Sequence, residues 1–348
     1  MKKTVILISS LFITGLLFYY LLSRSSSSDW SRLFFNLDPR YLLFYLFLYT
    51  AALFLRTWRY SIILESSRTP VRPPFGDLIL VTGVRNMMVD LLPARAGEIS
   101  YPVLLNRVYR VNLYPSLTSF AYAFLFDFLA LGPLLGLAGV VDSFTSAQRY
   151  SALWLFSFLI MAVGMLLVFL VEPFFRYLGQ GLNQRFHRYL KGRRILQRLP
   201  EYCEGLSRSF KELKEAGIFW KILGLSLAIR VLKYGYLYLL LQAFVQALTG
   251  STTSLPFLVT CLGLIGSEAA ASLPIGGLAG FGFYEGVLGA VLSTQGFSPA
   301  QGVLLSFGMH FLTQVVDYTW GAAAFLMILF RSGRRKKGER TSWTQWPR

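Results

Sequence analysis

The chain has 348 residues, of which 34 are Lys or Arg and 17 are Asp or Glu, so its formal net charge is +17. Hydrophobic residues make up 54% of the chain and charged residues only 15%, whereas about 25% of a typical soluble domain is charged. This composition excludes a disordered chain and a disulfide scaffold, and it argues against a soluble enzyme. Because the apolar residues form runs long enough to cross a bilayer, the sequence predicts an all-α, polytopic integral membrane protein.

The first two apolar runs lie near the N-terminus. Residues 4–22 follow Lys2 and Lys3, and no A-x-A cleavage site follows them, so we expect a retained anchor rather than a cleaved signal peptide. The second run begins at Tyr41 and ends in Arg56-Thr57-Trp58-Arg59, where Trp and Arg suit the headgroup level of the bilayer.

The later runs bring the prediction to about 6–8 transmembrane helices, together with broken or re-entrant ones. These runs are residues 75–91, 113–141, 151–171, 218–248, 255–273, 286–293 and 303–330. The predicted organisation is one transmembrane domain, residues 1–330, and a basic cytoplasmic tail, residues 331–348. The domain is divided into two N-terminal spans (1–74), a first repeat (75–141), central spans (151–248) with a basic loop (176–217), and a second repeat (255–330).

The distribution of Lys and Arg predicts the orientation in the membrane. With a cytoplasmic N-terminus, the cytoplasmic stretches hold 27 of these residues and the outside loops hold 4. The positive-inside rule therefore places both termini in the cytoplasm and the protein in the cell (inner) membrane. The topology then explains the net charge of +17, and no nucleic-acid partner is expected. For the basic loop 176–217, an amphipathic segment against anionic headgroups and plain positive-inside topology both remain open.

Two regions of the sequence, each with an interrupted apolar run, contain the same motifs in the same order. In each, an apolar run leads into Leu-Pro, then Gly and Glu: Leu92-Pro93 with Gly97-Glu98, and Leu273-Pro274 with Gly282 and Glu285. Each region closes with a long span that carries one aspartate, Asp127 or Asp317. Since the two regions start on opposite sides in the predicted topology, they form an inverted repeat, which places discontinuous helices around a cavity.

These residues resemble the lysylphosphatidylglycerol synthase transmembrane-region family. The resemblance rests on Leu92-Pro93-x-Arg95-x-Gly97-Glu98 with Leu105 and Arg107, on Leu273-Pro274 with Gly280-x-Gly282-x-x-Glu285, and on Arg56-x-Trp58-Arg59. Asp127 also matches the family, whereas Ala123 and Tyr284 depart from it. The family is the flippase-like domain of multiple peptide resistance factors, so the resemblance implies lipid translocation. A chain that ends at Arg348 leaves no room for the aminoacyltransferase domain, so lipid synthesis is not implied.

Ionisable residues inside a membrane are costly unless they are paired or hydrated, which makes them candidates for function. We expect Arg230 and Lys233 to share a helix face, and His310, Gln314 and Asp317 to form a polar stripe on the last span. Asp77 and Asp90 are interpreted as residues that cap or end helices. The predicted substrate-binding set, which is expected to converge on one cavity between the repeats, is Arg95, Glu98, Arg230, Lys233, Glu285 and Asp317. The predicted helix-break motif is Pro93, Gly97, Pro274, Gly276, Gly277, Gly280 and Gly282, and the secondary candidates are Arg85, Asp127, Glu268 and His310.

The leading hypothesis is a translocase for a membrane lipid or lipid-linked substrate, with no enzymatic activity, cofactor or metal. The expected partners are lipids with anionic or aminoacylated headgroups, and a second copy of the chain is also considered. One alternative is an intramembrane transferase acting on a phospholipid or polyprenyl headgroup, and another is a scaffold that transports nothing. Cys203 and Cys261 are expected to be unpaired thiols, since their spacing matches no disulfide or zinc pattern.

Overall fold

A computed structural model describes residues 2–67, 69–145, 151–186, 198–251, 254–273 and 277–342. Within these residues the regular structure is helical and no strand occurs, which confirms the all-α prediction. The α-helices are α1 (Lys2–Arg24), α2 (Ser27–Phe35), α3 (Pro39–Ser66), α4 (Phe75–Leu91), α5 (Ser100–Arg107), α6 (Leu113–Leu129), α7 (Leu131–Thr145), α8 (Ser151–Phe186), α9 (Leu199–Glu215), α10 (Phe219–Thr249), α11 (Phe257–Ala271), α12 (Phe283–Thr294) and α13 (Pro299–Ser342). Two short 3₁₀ turns complete the described structure, the first turn at Pro93–Ile99 and the second turn at Leu278–Gly280.

The described helices include five that are long and apolar enough to cross a membrane, or six if the bent pair α1–α2 counts as one span. Within that pair, the segments Ile8–Arg24 and Ser27–Phe35 meet at 105°. Only 11% of the most apolar window of the span Leu153–Leu182 is buried in the protein. Apolar side chains left exposed over such a length indicate contact with lipid, so the chain is a multi-pass membrane protein.

The predicted span 113–141 is confirmed as one of the five apolar spans, but its helix is interrupted at one residue. Helix α6 ends at Leu129 and α7 begins at Leu131, with Ala130 between them. The cause is Pro133, which has no N–H to donate to Leu129 and whose ring crowds the preceding turn.

The described chain forms two compact units. The first unit contains Met1–Leu53, Ile79–Ser100 and Leu232–Arg348, and the second contains Phe54–Leu78 and Tyr101–Val231. Because α3, α4 and α10 each contribute to both units, the units do not follow chain order. The division into 1–74, 75–141, 151–248 and 255–330 stays a prediction.

In the first unit, α13 packs against α12 and α12 packs against α11. The crossing of α12 and α13 depends on small residues, since a Cβ on Gly302 would lie 2.6 Å from the carbonyl oxygen of Gly289. Helix α1 contacts the second turn, where the Thr14 hydroxyl accepts a hydrogen bond from the Leu278 N–H at 2.9 Å. These contacts hold the second turn between α1 and α13.

In the second unit, α9 packs against α6 and α8. Its apolar face, which includes Cys203, Phe210 and Leu213, is buried there. Cys203 therefore lies in a helix rather than in a loop, and it is a free thiol, as is Cys261. Because protein covers the apolar face of α9, this part of the loop 176–217 does not present an open apolar face to a membrane. Residues 187–197 lie outside the described residues.

Candidate functional site

The first unit contains a polar cavity of about 140 Å³. It is lined by side chains from α3, α4, α10, α11, α12 and α13 and from both 3₁₀ turns. The charged lining residues are Asp90, Arg95, Lys233, Glu268 and Asp317. Two cationic and three carboxylate side chains around one small volume make this cavity the candidate site.

One side of the cavity is an ion pair between α10 and α11. Lys233 Nζ lies 2.7 Å from Glu268 Oε1, and Tyr234 donates a hydrogen bond to the other oxygen of Glu268 at 3.2 Å. Both charged side chains keep a small exposed fraction, 19% for Lys233 and 17% for Glu268. The pair therefore faces the cavity while its charges largely compensate each other.

The polar stripe of α13 lines the opposite side. His310, Gln314 and Asp317 all face the cavity, as the helical spacing predicts. Tyr49 donates a hydrogen bond of 2.6 Å to Asp317 Oδ1. His310 Nδ1 lies 2.6 Å from Glu285 Oε1, so the fully buried Glu285 stands directly behind the cavity wall.

Arg95 reaches the cavity from a strained turn. Helix α4 ends at Leu91, before Pro93 as predicted, and the chain enters the first turn. Arg95 has φ of 53°, a left-handed conformation that is uncommon outside glycine. The turn lies so close to α4 that a Cβ on Gly97 would stand 1.8 Å from the Met88 carbonyl oxygen, so only glycine fits there. Among the described residues no ion pair of Arg95 is found, and its side chain lines the cavity.

In the second broken region, glycines allow both a left-handed backbone and a close approach of the chain to itself. Within the second turn, Ala279 has φ of 54° and Gly280 has φ of 82°, and Gly282 follows at 106°. The Gly282 N–H donates to Glu285 Oε2 at 2.6 Å, which caps α12. At Gly277 a Cβ would lie 1.7 Å from the Phe281 carbonyl oxygen. Pro274 and Gly276 lie outside the described residues.

The second unit holds a separate group of charges, which we call the arginine cluster: Arg59, Asp127, Ser226 and Arg230. Arg59 donates to both carboxylate oxygens of Asp127, with 3.1 Å from Nη2 to Oδ2, and to the Ser226 hydroxyl at 2.7 Å. Arg230 Nε donates to the backbone carbonyl of Asp127 at 3.2 Å. Arg59 is only 1% exposed, so this guanidinium is a buried and multiply hydrogen-bonded group.

Comparison with protein families decides the classification. The model of the lysylphosphatidylglycerol synthase TM region matches residues 6–321. The chain belongs to this family. Searches of curated proteins and of solved structures found no match. Family membership gives the protein a membrane-lipid-related function, in agreement with its spans.

Of the six residues predicted to bind substrate in this family member, the structure brings Arg95, Lys233 and Asp317 together in the cavity. Glu285 is separated from it by His310. Glu98 pairs with Arg85, whose Nε donates to Glu98 Oε2 at 2.7 Å. The expected convergence of all six is therefore not what the structure shows, and the role of each in binding stays a prediction.

Arg230 and Lys233 are the clearest difference from the expected set. They lie three residues apart on α10, yet Arg230 bonds to Asp127 in the second unit and Lys233 to Glu268 in the first. Helical spacing predicts a shared face but not which carboxylate each long side chain reaches. The secondary candidates also lie in both units: Glu268 and His310 line the cavity of the first unit, and Asp127 belongs to the arginine cluster of the second.

Sequence reasoning missed two residues. Asp90 was interpreted as a helix cap, but it lines the cavity. Its position one turn before the Pro93 break is the signal that could have found it, because a broken helix end faces the same space as the turn that follows. Arg59 was assigned to the headgroup level, but it is buried against Asp127. No local pattern distinguishes it from Arg56.

Proposed function

We propose that this protein translocates a membrane lipid by receiving the lipid headgroup in the polar cavity of the first unit. The observation that supports this is a small hydrophilic volume lined by charges of both signs within helices of a membrane protein. Such charges are costly in a bilayer unless they pair or serve a polar ligand. Family membership supports a lipid as the ligand.

The size of the cavity favours a headgroup over a whole lipid. Its volume of about 140 Å³ is below the range of roughly 300–1,000 Å³ that encloses a drug-sized ligand. A headgroup can enter this space while the acyl chains remain in the bilayer, alongside apolar side chains of the same unit such as Leu43 and Phe47, which are exposed on α3.

The charges favour a headgroup that carries both a phosphate and an amine. Arg95 offers a guanidinium suited to a phosphate, and Asp90 and Asp317 offer carboxylates suited to an ammonium group. Lys233 and Glu268 already form a pair. The formal charge of the lining therefore matches an aminoacylated or otherwise amine-bearing phospholipid better than a purely anionic one.

The proposal is tested with purified protein in phosphatidylcholine vesicles that contain an acyl-chain-labelled lipid. Dithionite added outside bleaches the outer leaflet, so the decay of the remaining fluorescence measures translocation. We expect labelled lysyl-phosphatidylglycerol and phosphatidylethanolamine to move faster than labelled phosphatidylglycerol. Arg95→Gln and Asp317→Asn should each slow movement at least tenfold, whereas Lys211→Gln on exposed α9 should not. Rates equal to those of protein-free vesicles for every lipid would contradict the proposal and favour the scaffold.

We also propose that both termini are cytoplasmic and that the two broken regions are inverted repeats. The positive-inside charge split supports the orientation. Lys211, whose side chain is 66% exposed on α9, is a suitable position for a single-cysteine reporter. Burial raises the pKa of the native Cys203 thiol, so that thiol reacts slowly and adds little background. Labelling of Lys211→Cys by an impermeant maleimide in intact cells would contradict the proposed orientation.

A further inference from the structure

Glu285 and His310 form a buried acid–base pair beside the cavity. Glu285 is fully buried, and its oxygens accept from the Gly282 N–H at 2.6 Å and from His310 Nδ1 at 2.6 Å. His310 is 8% exposed and lines the cavity, so the ring joins the buried carboxylate to the polar space. An isolated buried carboxylate is costly, and a proton added to the histidine would make the pair formally neutral.

Gln314 fixes which nitrogen of His310 carries the proton. Gln314 Nε2 lies 2.5 Å from the Ala279 carbonyl oxygen, which can only accept, so the amide nitrogen must face it. The same nitrogen lies 2.8 Å from His310 Nε2 and donates its second hydrogen there. His310 Nε2 is therefore an acceptor, and the neutral ring carries its proton on Nδ1, where it donates to Glu285.

Protonation of His310 conflicts with this arrangement. In the imidazolium both ring nitrogens are donors, so Nε2–H would face the donating amide of Gln314. Rotation of the amide by half a turn removes the conflict, because Gln314 Oε1 then accepts from His310. The rotation also withdraws the donor from the Ala279 carbonyl, which lies in the second turn at a left-handed residue.

The surroundings can hold the charged ring. Tyr284 stacks on His310 with ring centroids 4.1 Å apart, and Phe281 lies at 4.7 Å, so the cation would face aromatic rings. From α1 and α2, Phe18 and Trp30 pack beside Phe307 one turn away on α13. The charged groups that line the same cavity as His310 are Asp90 of α4, Arg95 of the first turn, Lys233 of α10, Glu268 of α11 and Asp317 of α13.

We propose that the Glu285–His310 pair binds the proton that drives translocation, and that its uptake releases the second turn through Gln314. This inference rests on the proposed function, since it names the coupling ion of that transport. One proton enters from water in the cavity and binds His310 Nε2, the amide of Gln314 rotates, and the Ala279 carbonyl loses its donor. Loss of the proton reverses each step, so the pair changes charge by one, only hydrogen bonds are exchanged, and no covalent bond other than N–H is made or broken.

The chain contains only two histidines, His187 and His310, so the protonation state can be measured directly. Protein with ¹⁵N-labelled histidine and His187→Gln is placed in phosphatidylcholine vesicles, and nitrogen shifts are recorded by solid-state NMR from pH 8.5 to pH 5. We expect a single Nδ1–H tautomer at high pH, because Gln314 donates to Nε2, and an imidazolium at low pH, because the proposed proton binds Nε2. A ring that keeps one state over the whole range would overturn the proposal.

The coupling to the turn is measured by hydrogen exchange on the same sample. The amides of Leu278, Gly280, Phe281 and Gly282 are hydrogen-bonded in the structure. After correction for the intrinsic pH dependence of exchange, protection of 277–282 should fall at least fivefold on acidification. Protection should be low at every pH in Gln314→Leu. In Gln242→Leu, which alters another half-buried glutamine of the first unit, protection should respond to pH as it does in the native protein. Equal protection at both pH values would overturn the coupling.

These measurements need no lipid movement, so their failure is distinct from failure of the proposed function. A protein that moves no lipid, but in which His310 binds a proton and releases the turn, would contradict the translocase and its drive by the proton, and would leave the proton-dependent release of the second turn standing. A translocase whose rate is the same with and without an imposed pH gradient would contradict only the proton coupling.

Discussion

The cavity of the first unit and the arginine cluster of the second use the same residue types in opposite ways. In the cavity, Arg95 and Asp317 line an open volume from separate elements. In the cluster, Arg59 bonds both oxygens of Asp127 and the Ser226 hydroxyl, and its side chain is 1% exposed. Burial and charge pairing therefore distinguish a charge that stabilises the protein from one that is available to a ligand, whereas residue type does not.

The energetics of the two regions should differ accordingly. Removal of one partner from a buried ion pair leaves an uncompensated charge. Removal of a charge that faces a hydrated cavity leaves space that water can fill. Substitutions in the cluster should thus lower stability more than substitutions in the cavity, and those in the cavity should act mainly on transport.

The largest expected effect is that of Asp127→Ala. It leaves the Arg59 guanidinium buried without its carboxylate, which should cost about 3–5 kcal/mol. Fluorescence-detected size-exclusion chromatography after heating in detergent should show a large loss of monodisperse protein. The double variant Arg59→Met, Asp127→Leu removes both charges and should recover part of this loss. A single variant as heat-stable as the native protein would show that the cluster is not structural.

A smaller loss of stability is expected from Gly97→Ala. The added Cβ would overlap the Met88 carbonyl, and such overpacking typically costs about 1–3 kcal/mol. Because the first turn also carries Arg95, displacement of the turn should slow lipid movement as well. Gly286→Ala is the matched control, since nothing lies within 4 Å of a Cβ at that position in α12. Equal stability of the two variants would argue against the close approach of the first turn to α4.

The smallest effect on stability, with a large effect on transport, is expected at Arg95. Both Arg95→Ala and Arg95→Gly remove the guanidinium, and both should slow translocation at least tenfold. Only glycine relieves the left-handed backbone, which costs a non-glycine residue roughly 1–2 kcal/mol. Arg95→Gly should therefore survive heating better than Arg95→Ala while it transports no better. Equal heat resistance would show that the turn is not strained at this residue.

Much of the fold could be predicted from the sequence, because spans follow from long apolar runs and breaks follow from Pro and Gly. Each predicted run overlaps a described helix, with 113–141 covering both α6 and α7, and α4 ends before Pro93. The stripe of His310, Gln314 and Asp317 was also predictable, because it depends only on helical periodicity. The two broken regions do share an apolar helix followed by a 3₁₀ turn, while their opposite orientation stays a prediction.

The partners of the charges could not be predicted. Arg230 and Lys233 share a helix and a spacing, but each pairs with a carboxylate more than thirty residues away in sequence, Asp127 or Glu268. Asp90 and Arg59 differ from their expected roles for the same reason, since burial depends on tertiary packing. The sequence therefore indicates which ionisable residues are candidates for function. Only the packing separates those that line the cavity from those that form buried ion pairs.

The most direct test of this account compares Lys233→Gln with Arg230→Gln, two neutralised cations one helical turn apart. Translocation of labelled lysyl-phosphatidylglycerol is measured in vesicles with equal amounts of monodisperse protein. We expect Lys233→Gln to slow movement at least tenfold, because it removes the cation that compensates the charge of Glu268 at the cavity. Arg230→Gln should lower heat stability and change the rate per folded molecule less than twofold. Equal loss of translocation in the two variants, or full activity in Lys233→Gln, would contradict the assignment of transport to the cavity.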